Sequence, residues 1–181
     1  DQHEKNEATL WEINSSTPFL PVVDKEGRVT EVLVGSKIES RLSTALVLAG
    51  GLGKRLGEKT RNTPKPLLAI GEKPILGHTL DHLERAGIKK IYIAVHYLAE
   101  QIAEFVSNRD NKAEIFLLHE GTALGTAGSI SLLPEDVNDH FLVINGDVMT
   151  RVDFELLETM HRRNENDATI AVAQHEVEIP Y

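Results

Sequence analysis

The sequence predicts an α/β fold built on a doubly wound, mostly parallel β-sheet. Three observations carry that prediction. Short, nearly continuous apolar runs of strand length recur after Ser43. Amphipathic stretches of helical spacing separate them. The first run ends in a glycine-rich segment, where open α/β sheets place their ligand loops.

The elements follow in order. Residues 1–40 hold a short helix expected over Ala8 to Ile13. Two strand-like pieces then flank Asp24-Lys25-Glu26-Gly27, which is turn chemistry and predicts a β-hairpin over Pro18 to Gly35. Residues 36–42 read as a linker. Thr44 to Gly50 is apolar enough for a strand buried on both faces. Pro74 suits a first helical turn, and Leu76, Leu80 and Leu83 keep the 3–4 spacing up to Gly87. Lys90 to Tyr97 is a strand. Leu98, Ile102, Phe105 and Val106 form one helix face. Ala113 to His119 is a strand, a helix begins near Thr126, and His140 to Gly146 is a further strand. Asp153 can cap a helix to about Arg163, and Ala168 to Ala173 is the last expected strand. Helices are expected on both faces of the sheet.

Composition narrows the function. The chain has 181 residues, 41% hydrophobic and 26% charged, so it is long and apolar enough to bury a core. Its net charge of −9 argues against a general nucleic-acid binder, which needs a basic surface. It has no cysteine, which excludes disulfides, thiolate metal sites and a cysteine nucleophile. That composition fits a reducing, cytoplasmic location. Runs such as Ala45–Ala49 fall far short of the ~18 residues a membrane helix needs, so no membrane partner is expected. The start at Asp1 without Met marks an expected piece of a longer protein.

Against that acidic background one stretch is basic. Between Gly50 and Pro66 lie Lys54, Arg55, Lys59, Arg61 and Lys65 against the single acid Glu58. Gly50, Gly51 and Gly53 let backbone N–H groups approach an anion, and the cations beside them suit a polyphosphate. The prolines flanking Lys65 stiffen the backbone that aims it. A P-loop is excluded, because Leu48 stands where its first glycine belongs and Arg55 where it needs Ser or Thr. A dinucleotide fingerprint fails at Leu56, where its third glycine would stand.

The segment AGGLGKRLGEKTRNTPKPLLAIGEKPILGHTL, with the later LGTAGSI (Leu124 to Ile130) and FLVINGDVMT (Phe141 to Thr150), resembles the sugar-1-phosphate nucleotidylyltransferases, also called nucleoside-diphosphate-sugar pyrophosphorylases. The resemblance covers about Thr44 to Tyr181. It implies a Rossmann-like, glycosyltransferase-A-like domain over residues 43–181, truncated at its C-terminus. It also implies attack by a sugar-1-phosphate on the α-phosphorus of an NTP, with Mg²⁺ as cofactor and pyrophosphate as leaving group. Such transfer rests on positioning and charge stabilisation, without a protein nucleophile.

The resemblance also assigns roles. Arg55 is the loop arginine expected to hold the β- and γ-phosphates, and Lys65 the lysine reaching the α-phosphate or the sugar phosphate. Ala49, Gly50, Gly51 and Gly53 form the nucleotide loop, and Gly125 and Thr126 lie where backbone approaches the nucleoside. Asp147 is the expected Mg²⁺ ligand. A second metal-binding aspartate and most of the acceptor pocket belong to a region downstream of Tyr181, so the 181-residue chain is expected to be inactive alone. In related pyrimidine-specific enzymes a glutamine stands about five residues before the glycine of the Leu-Gly motif. Here that position is Glu120. A carboxylate accepts hydrogen bonds only, which suits guanine's adjacent ring N–H and amine and favours GTP over UTP.

Two further patterns read as ordinary surface. His78 and His82, four residues apart, are expected to be a helix face rather than a metal pair, and Glu155 to Glu165 an exposed helix face. The hairpin segment FLPVVDKEGRVTEVLVG resembles the tail of a CBS domain. It departs at Glu31, where glycine is common, and it lacks the nucleotide-binding Thr and Asp. A CBS tail leading into this catalytic pattern resembles the CBS-fused nucleotidyltransferases of bacterial surface-sugar pathways. A non-catalytic nucleotide or nucleotide-sugar sensor of the same fold is the alternative. A sensor could lose Arg55, Lys65 and Asp147, and all three are present. The expected partners are an NTP, a sugar-1-phosphate and a further copy in a homo-oligomer.

Overall fold

The structure is a computed structural model of the 181-residue chain. It describes residues 19–23, 28–34, 42–51, 53, 57–58, 60–122, 124–137 and 140–173, with backbone alone for 19–23, 31–34 and 126. The expected helix over Ala8 to Ile13, the turn 24–27, the linker up to Arg41 and the site residue Arg55 lie outside the described residues. The chain divides into two units, Asp1–Ser40 and Arg41–Tyr181.

The first unit contains the hairpin. Strand β1 (Phe19–Val23) pairs antiparallel with β2 (Val29–Val34), with Phe19 opposite Val34 and a register shift at Val22/Val23.

The second unit is built on a four-stranded parallel sheet. β3 (Thr44–Leu48) is followed by a small ladder of β4 (Ala69–Ile70) and β5 (Lys73–Pro74) around Gly71, whose φ of 67° suits glycine. Then come β6 (Lys90–Val95), β7 (Glu114–His119) and β8 (Leu142–Asn145). The order in space is β7-β6-β3-β8, every pair parallel. The chain therefore steps from β3 to one side, through β6 and β7, and returns to β8 on the other side. The strand order therefore reverses between β3 and β8, and open α/β sheets bind their ligands beyond the carboxyl ends at such a switch point.

Strand alternation separates two cores. Ala45, Val47, Ile91, Ile93 and Val95 point to one face, where they meet Leu76, Leu80 and Leu83 of α1 (Ile75–Arg85), Ile102 of α2 (Ala99–Ser107) and Phe154 of α4 (Phe154–Arg163). Burying each large side chain of this set is worth roughly 1.5–3 kcal/mol. Leu42, expected to be linker, is 6% exposed and belongs to this core.

Among the described residues the other face carries only short helical turns. Leu46, Tyr92 and Ala94 are covered by Leu133 and Val137 in an irregular segment. The helix expected near Thr126 is one turn, α3 (Gly125–Gly128), continued as a 3₁₀ turn over Ser129–Leu132. Residues 168–173 form no strand, and Ile170 and Val172 are 81% and 89% exposed. That segment has the apolar texture of a strand, but a strand also needs a neighbouring backbone to pair with. In α4 the expected exposed face is interrupted: Glu158 is buried and takes a hydrogen bond from Arg162 at 2.7 Å. Asp153 does cap α4, accepting from the N–H groups of Glu155 and Leu156 at 3.0 and 3.1 Å. Among the described residues no helix is long and apolar enough to cross a membrane.

Candidate active site

Because the four strands run parallel, their carboxyl ends share one edge of the sheet, and the chemistry-bearing residues lie just beyond it. Ala49 and Gly50 follow β3, His96 and Tyr97 follow β6, Glu120 follows β7, and Gly146 and Asp147 follow β8. The close approach of β8 to β3 favours glycine at position 146. Its N–H donates to the Leu48 carbonyl at 2.8 Å, and a Cβ there would lie 3.2 Å from that oxygen.

Lys65 and Asp147 meet across this edge. They are 82 residues apart in sequence, and the lysine ammonium donates to Asp147 Oδ2. Buried Pro64 and Pro66 anchor the backbone on either side of Lys65, which opens a 3₁₀ turn over Lys65–Leu67. The two side chains remain 37% and 29% exposed, so solvent or a ligand can reach both. An ammonium has three donors, and a carboxylate can accept several bonds, so each keeps capacity for phosphate or cation.

The glycine loop is shaped from beneath. Gly53 has φ 59°, and a Cβ on it would fall 2.9 Å from Thr60 Cγ2, so glycine is required on two counts. Buried Thr60 donates its hydroxyl to the Gly53 carbonyl at 3.0 Å, with Gly57 O at 3.3 Å. Gly51 is exposed and open to a ligand. Ala49 is buried and its N–H is committed to the Ala94 carbonyl at 2.9 Å, so its expected role reduces to shaping the floor of the loop.

Glu120 stands beside this loop. Its carboxylate lies 3.2 Å from the Cβ position of Gly50, so any larger residue at 50 would press against it. Ser129, 1% exposed, donates to Glu120 Oε1 at 2.6 Å. The Leu124 N–H approaches Oε2 at 3.4 Å. His96 Nδ1 donates to the Glu120 carbonyl at 2.9 Å, which fixes the backbone. Gly125 opens the next turn with φ 79°. Glu120 therefore links the first glycine loop to the second.

Sequence reasoning missed several supporting residues. Thr60 and Ser129 carry no motif of their own. Tyr97 and Gln101 lie at the start of α2 and donate to the carbonyls of Arg61 and Asn62 at 2.7 and 2.9 Å. A polar i, i+4 pair just past a strand's carboxyl end was the available signal. Each histidine of the i, i+4 pair has its own partner, and His82 packs inward rather than lying on an open surface. His78 Nε2 donates to Ile70 O at 3.1 Å, and His82 stacks on Phe154 with centroids 4.4 Å apart. Burial, helped by Arg85, holds the His82 pKa below its ordinary value. No group of three or more His, Cys, Asp or Glu suited to a metal occurs among the described residues. A cavity of about 230 Å³ opens elsewhere, by Ser43, Thr44, Lys90 and His140, at the amino ends of the strands and away from this chemistry.

Known proteins resemble this chain in sequence and in fold. The sequence model of the family "Nucleotidyl transferase" matches residues 44–181. Mannose-1-phosphate guanylyltransferase catalytic subunit beta of Drosophila pseudoobscura pseudoobscura is 38% identical over 137 residues, covering 73% of this chain and 37% of that protein. The crystal structure of HddC from Yersinia pseudotuberculosis, complexed with GMP-PN, superposes with TM-score 0.60 and 29% identity, over 66% of this chain and 54% of that one. A UDP-glucose pyrophosphorylase complexed with UDP-glucose shares the fold at TM-score 0.57 and 17% identity, over 68% of this chain and 55% of that one. The chain spans less than two-fifths of the length of the curated guanylyltransferases it matches. With the family's match running from the first strand of the parallel sheet through every loop at its carboxyl edge, the chain belongs to the nucleotidyl transferase family.

Proposed function

We propose that the intact protein transfers GMP from GTP to a sugar-1-phosphate. The phosphate oxygen of the sugar attacks the α-phosphorus, the bond to the β-phosphate oxygen breaks, and pyrophosphate leaves. The observation that carries this reading is the half-open Lys65–Asp147 pair, held by two buried prolines beside the glycine loop. Guanylyltransferases among the relatives support the base.

Lys65 stabilises the charge that builds on the α-phosphate or the sugar phosphate as the new bond forms. Arg55 holds the departing pyrophosphate. The backbone of Gly50, Gly51 and Gly53 lines the phosphates, and the turn at Gly125 and Thr126 lies along the nucleoside. Asp147 suits Mg²⁺, which commonly takes one or two carboxylates and completes its shell with phosphates and water. Its carboxylate already holds a cation, the Lys65 ammonium, so the site accepts positive charge. A metal held by Asp147 would supply neutralisation of the polyphosphate charge, while the Lys65 ammonium keeps donors for the phosphate. The hairpin unit is the tail of a CBS domain (residues 1–40), the nucleotidyltransferase part covers 43–181, and the setting is cytoplasmic.

Glu120 accepts from the guanine ring N–H and amine. Uracil would set carbonyl oxygens against the same carboxylate, and sites built for hydrogen bonds reject unpaired analogues strongly. The test is kcat/KM for GTP and UTP in the full-length protein, with sugar-1-phosphates that include mannose-1-phosphate. Wild type is expected to prefer GTP, and Glu120→Gln to lower the GTP/UTP ratio at least tenfold on the order of one lost charge-assisted bond. A wild-type preference for UTP, or an unchanged ratio in the variant, contradicts the assignment.

A further inference from the structure

We infer that Tyr97 and Gln101 are positioning residues for Lys65, acting through the backbone that carries it; this rests on the proposed nucleotidyl transfer. The segment between the glycine loop and Lys65 is held at two levels. Upstream, Thr60 ties it to the carbonyls of Gly53 and Gly57. Downstream, three and four residues before Lys65, the Tyr97 hydroxyl donates to the Asn62-preceding carbonyl of Arg61 at 2.7 Å and Gln101 Nε2 to the carbonyl of Asn62 at 2.9 Å. Arg61 and Asn62 are themselves exposed.

The donors stand on rigid ground. Tyr97 follows β6, whose last five residues are buried, and Gln101 is on α2, which is seated in the core by Ala99 and fully buried Ile102. Leu98 joins the two in the left-handed region, φ 54°, a conformation that a non-glycine residue adopts only when its surroundings hold it there. That bend sets Tyr97 and Gln101 against one stretch of loop. The position of the core strand is thus passed to the Lys65 backbone by two hydrogen bonds, and buried Pro64 continues the constraint up to the lysine.

Lys65 acts on charge that develops in the transition state, so a loosened backbone lowers kcat more than it raises KM. The test compares Tyr97→Phe, Gln101→Met and the double variant in the full-length protein, with and without Lys65→Ala. The expected result is a fall of about tenfold in kcat for the double variant, with KM for GTP within about twofold of wild type. In the Lys65→Ala background the same two changes are expected to cost less than about twofold, because their effect runs through Lys65. An unchanged kcat, a loss of equal size without Lys65, or a rise in KM that accounts for the loss overturns the proposal. Amide hydrogen exchange at Arg61, Leu67 and Leu68, whose N–H groups donate to the carbonyls of Glu58, Pro64 and Lys65 at 3.2, 2.8 and 3.1 Å, provides a readout independent of activity. Faster exchange in the double variant supports the clamp, and unchanged exchange overturns it. Wild type that transfers no nucleotide while exchange responds as expected would count against the functional reading and leave the clamp standing.

Discussion

Arg109 and Lys65 each reach carboxylates 25 or more residues away, and the two contacts differ in how fully the partners are satisfied. Arg109 follows α2 and holds both oxygens of Glu84 at 2.8 and 2.6 Å, Asp81 at 2.7 Å and Asn111 at 2.6 Å. The second carboxylate, Glu84, is 4% exposed and also accepts from the N–H of Lys112 at 2.9 Å. The Arg109 bonds hold the Glu84 pKa below its ordinary value, and Glu84 in return raises that of Arg109. Burial works against Asp81, yet Lys73 and Arg109 outweigh it and its pKa is also lowered. Lys65, by contrast, meets one carboxylate oxygen in a half-open pair. A largely enclosed cation bonded to two carboxylates and an amide pins α1 to the segment before β7. A half-satisfied, accessible one has donors to spare for a ligand. The difference separates structure from function more sharply than charge alone.

The largest expected effect is at Arg109. Arg109→Ala leaves the buried Glu84 carboxylate with backbone N–H donors but no cation and should destabilise the fold by about 2–3 kcal/mol, read by denaturant unfolding. The pH dependence gives its sign. Glu84 has a lowered pKa in the fold, so its contribution is present above its ordinary value of 4.5 and is lost as pH falls through the folded value. The stability gap between wild type and Arg109→Ala should therefore be widest above about pH 4.5 and close below it. A gap that stays constant down to pH 3 would place the stabilisation elsewhere.

The functional side should respond the other way. Lys65→Ala is expected to leave the unfolding midpoint nearly unchanged, since an exposed pair contributes at most about 1 kcal/mol. Turnover in the full-length protein should fall ~10²-fold or more. Turnover within about tenfold of wild type would remove Lys65 from the chemistry. The smallest effect calibrates the scale: Asp153→Ala removes the cap of α4 and should cost about 1 kcal/mol in stability with turnover intact. A loss of turnover there would show that α4 reaches the site.

Much of this was legible in the sequence, and the limits have physical causes. The runs at Thr44 and Lys90 announced β3 and β6 because strands buried on both faces need unbroken apolar residues, and the run at His140 announced β8, which stands half-exposed at the end of the described sheet. The Asp153 cap and the Leu76, Leu80, Leu83 stripe announced their helices. Ala168–Ala173 has the same apolar texture and is no strand, because texture records a tendency and pairing requires a partner. Lys65 and Asp147 were each singled out by local motif, whereas their contact follows from the β3–β8 neighbourhood, which no local pattern encodes. Arg109, Asp81 and Glu84 were invisible for the same reason: each is an unremarked surface charge in sequence and a buried network only after α1 and α2 are packed. Tyr97 and Gln101 act by side chain on distant backbone, and backbone acceptors leave no trace in residue identity.

The most direct measurement of the central claim is pyrophosphate release by the full-length protein given GTP, Mg²⁺ and a panel of sugar-1-phosphates, wild type beside Asp147→Asn. The predicted result is release from wild type that requires both substrates and matches GDP-sugar formed, with at least a hundredfold loss in the folded variant, on the order expected when one charge-stabilising group of the site is removed. Release of no pyrophosphate by wild type with any sugar-1-phosphate, or an Asp147→Asn variant that turns over at the wild-type rate, would contradict the account.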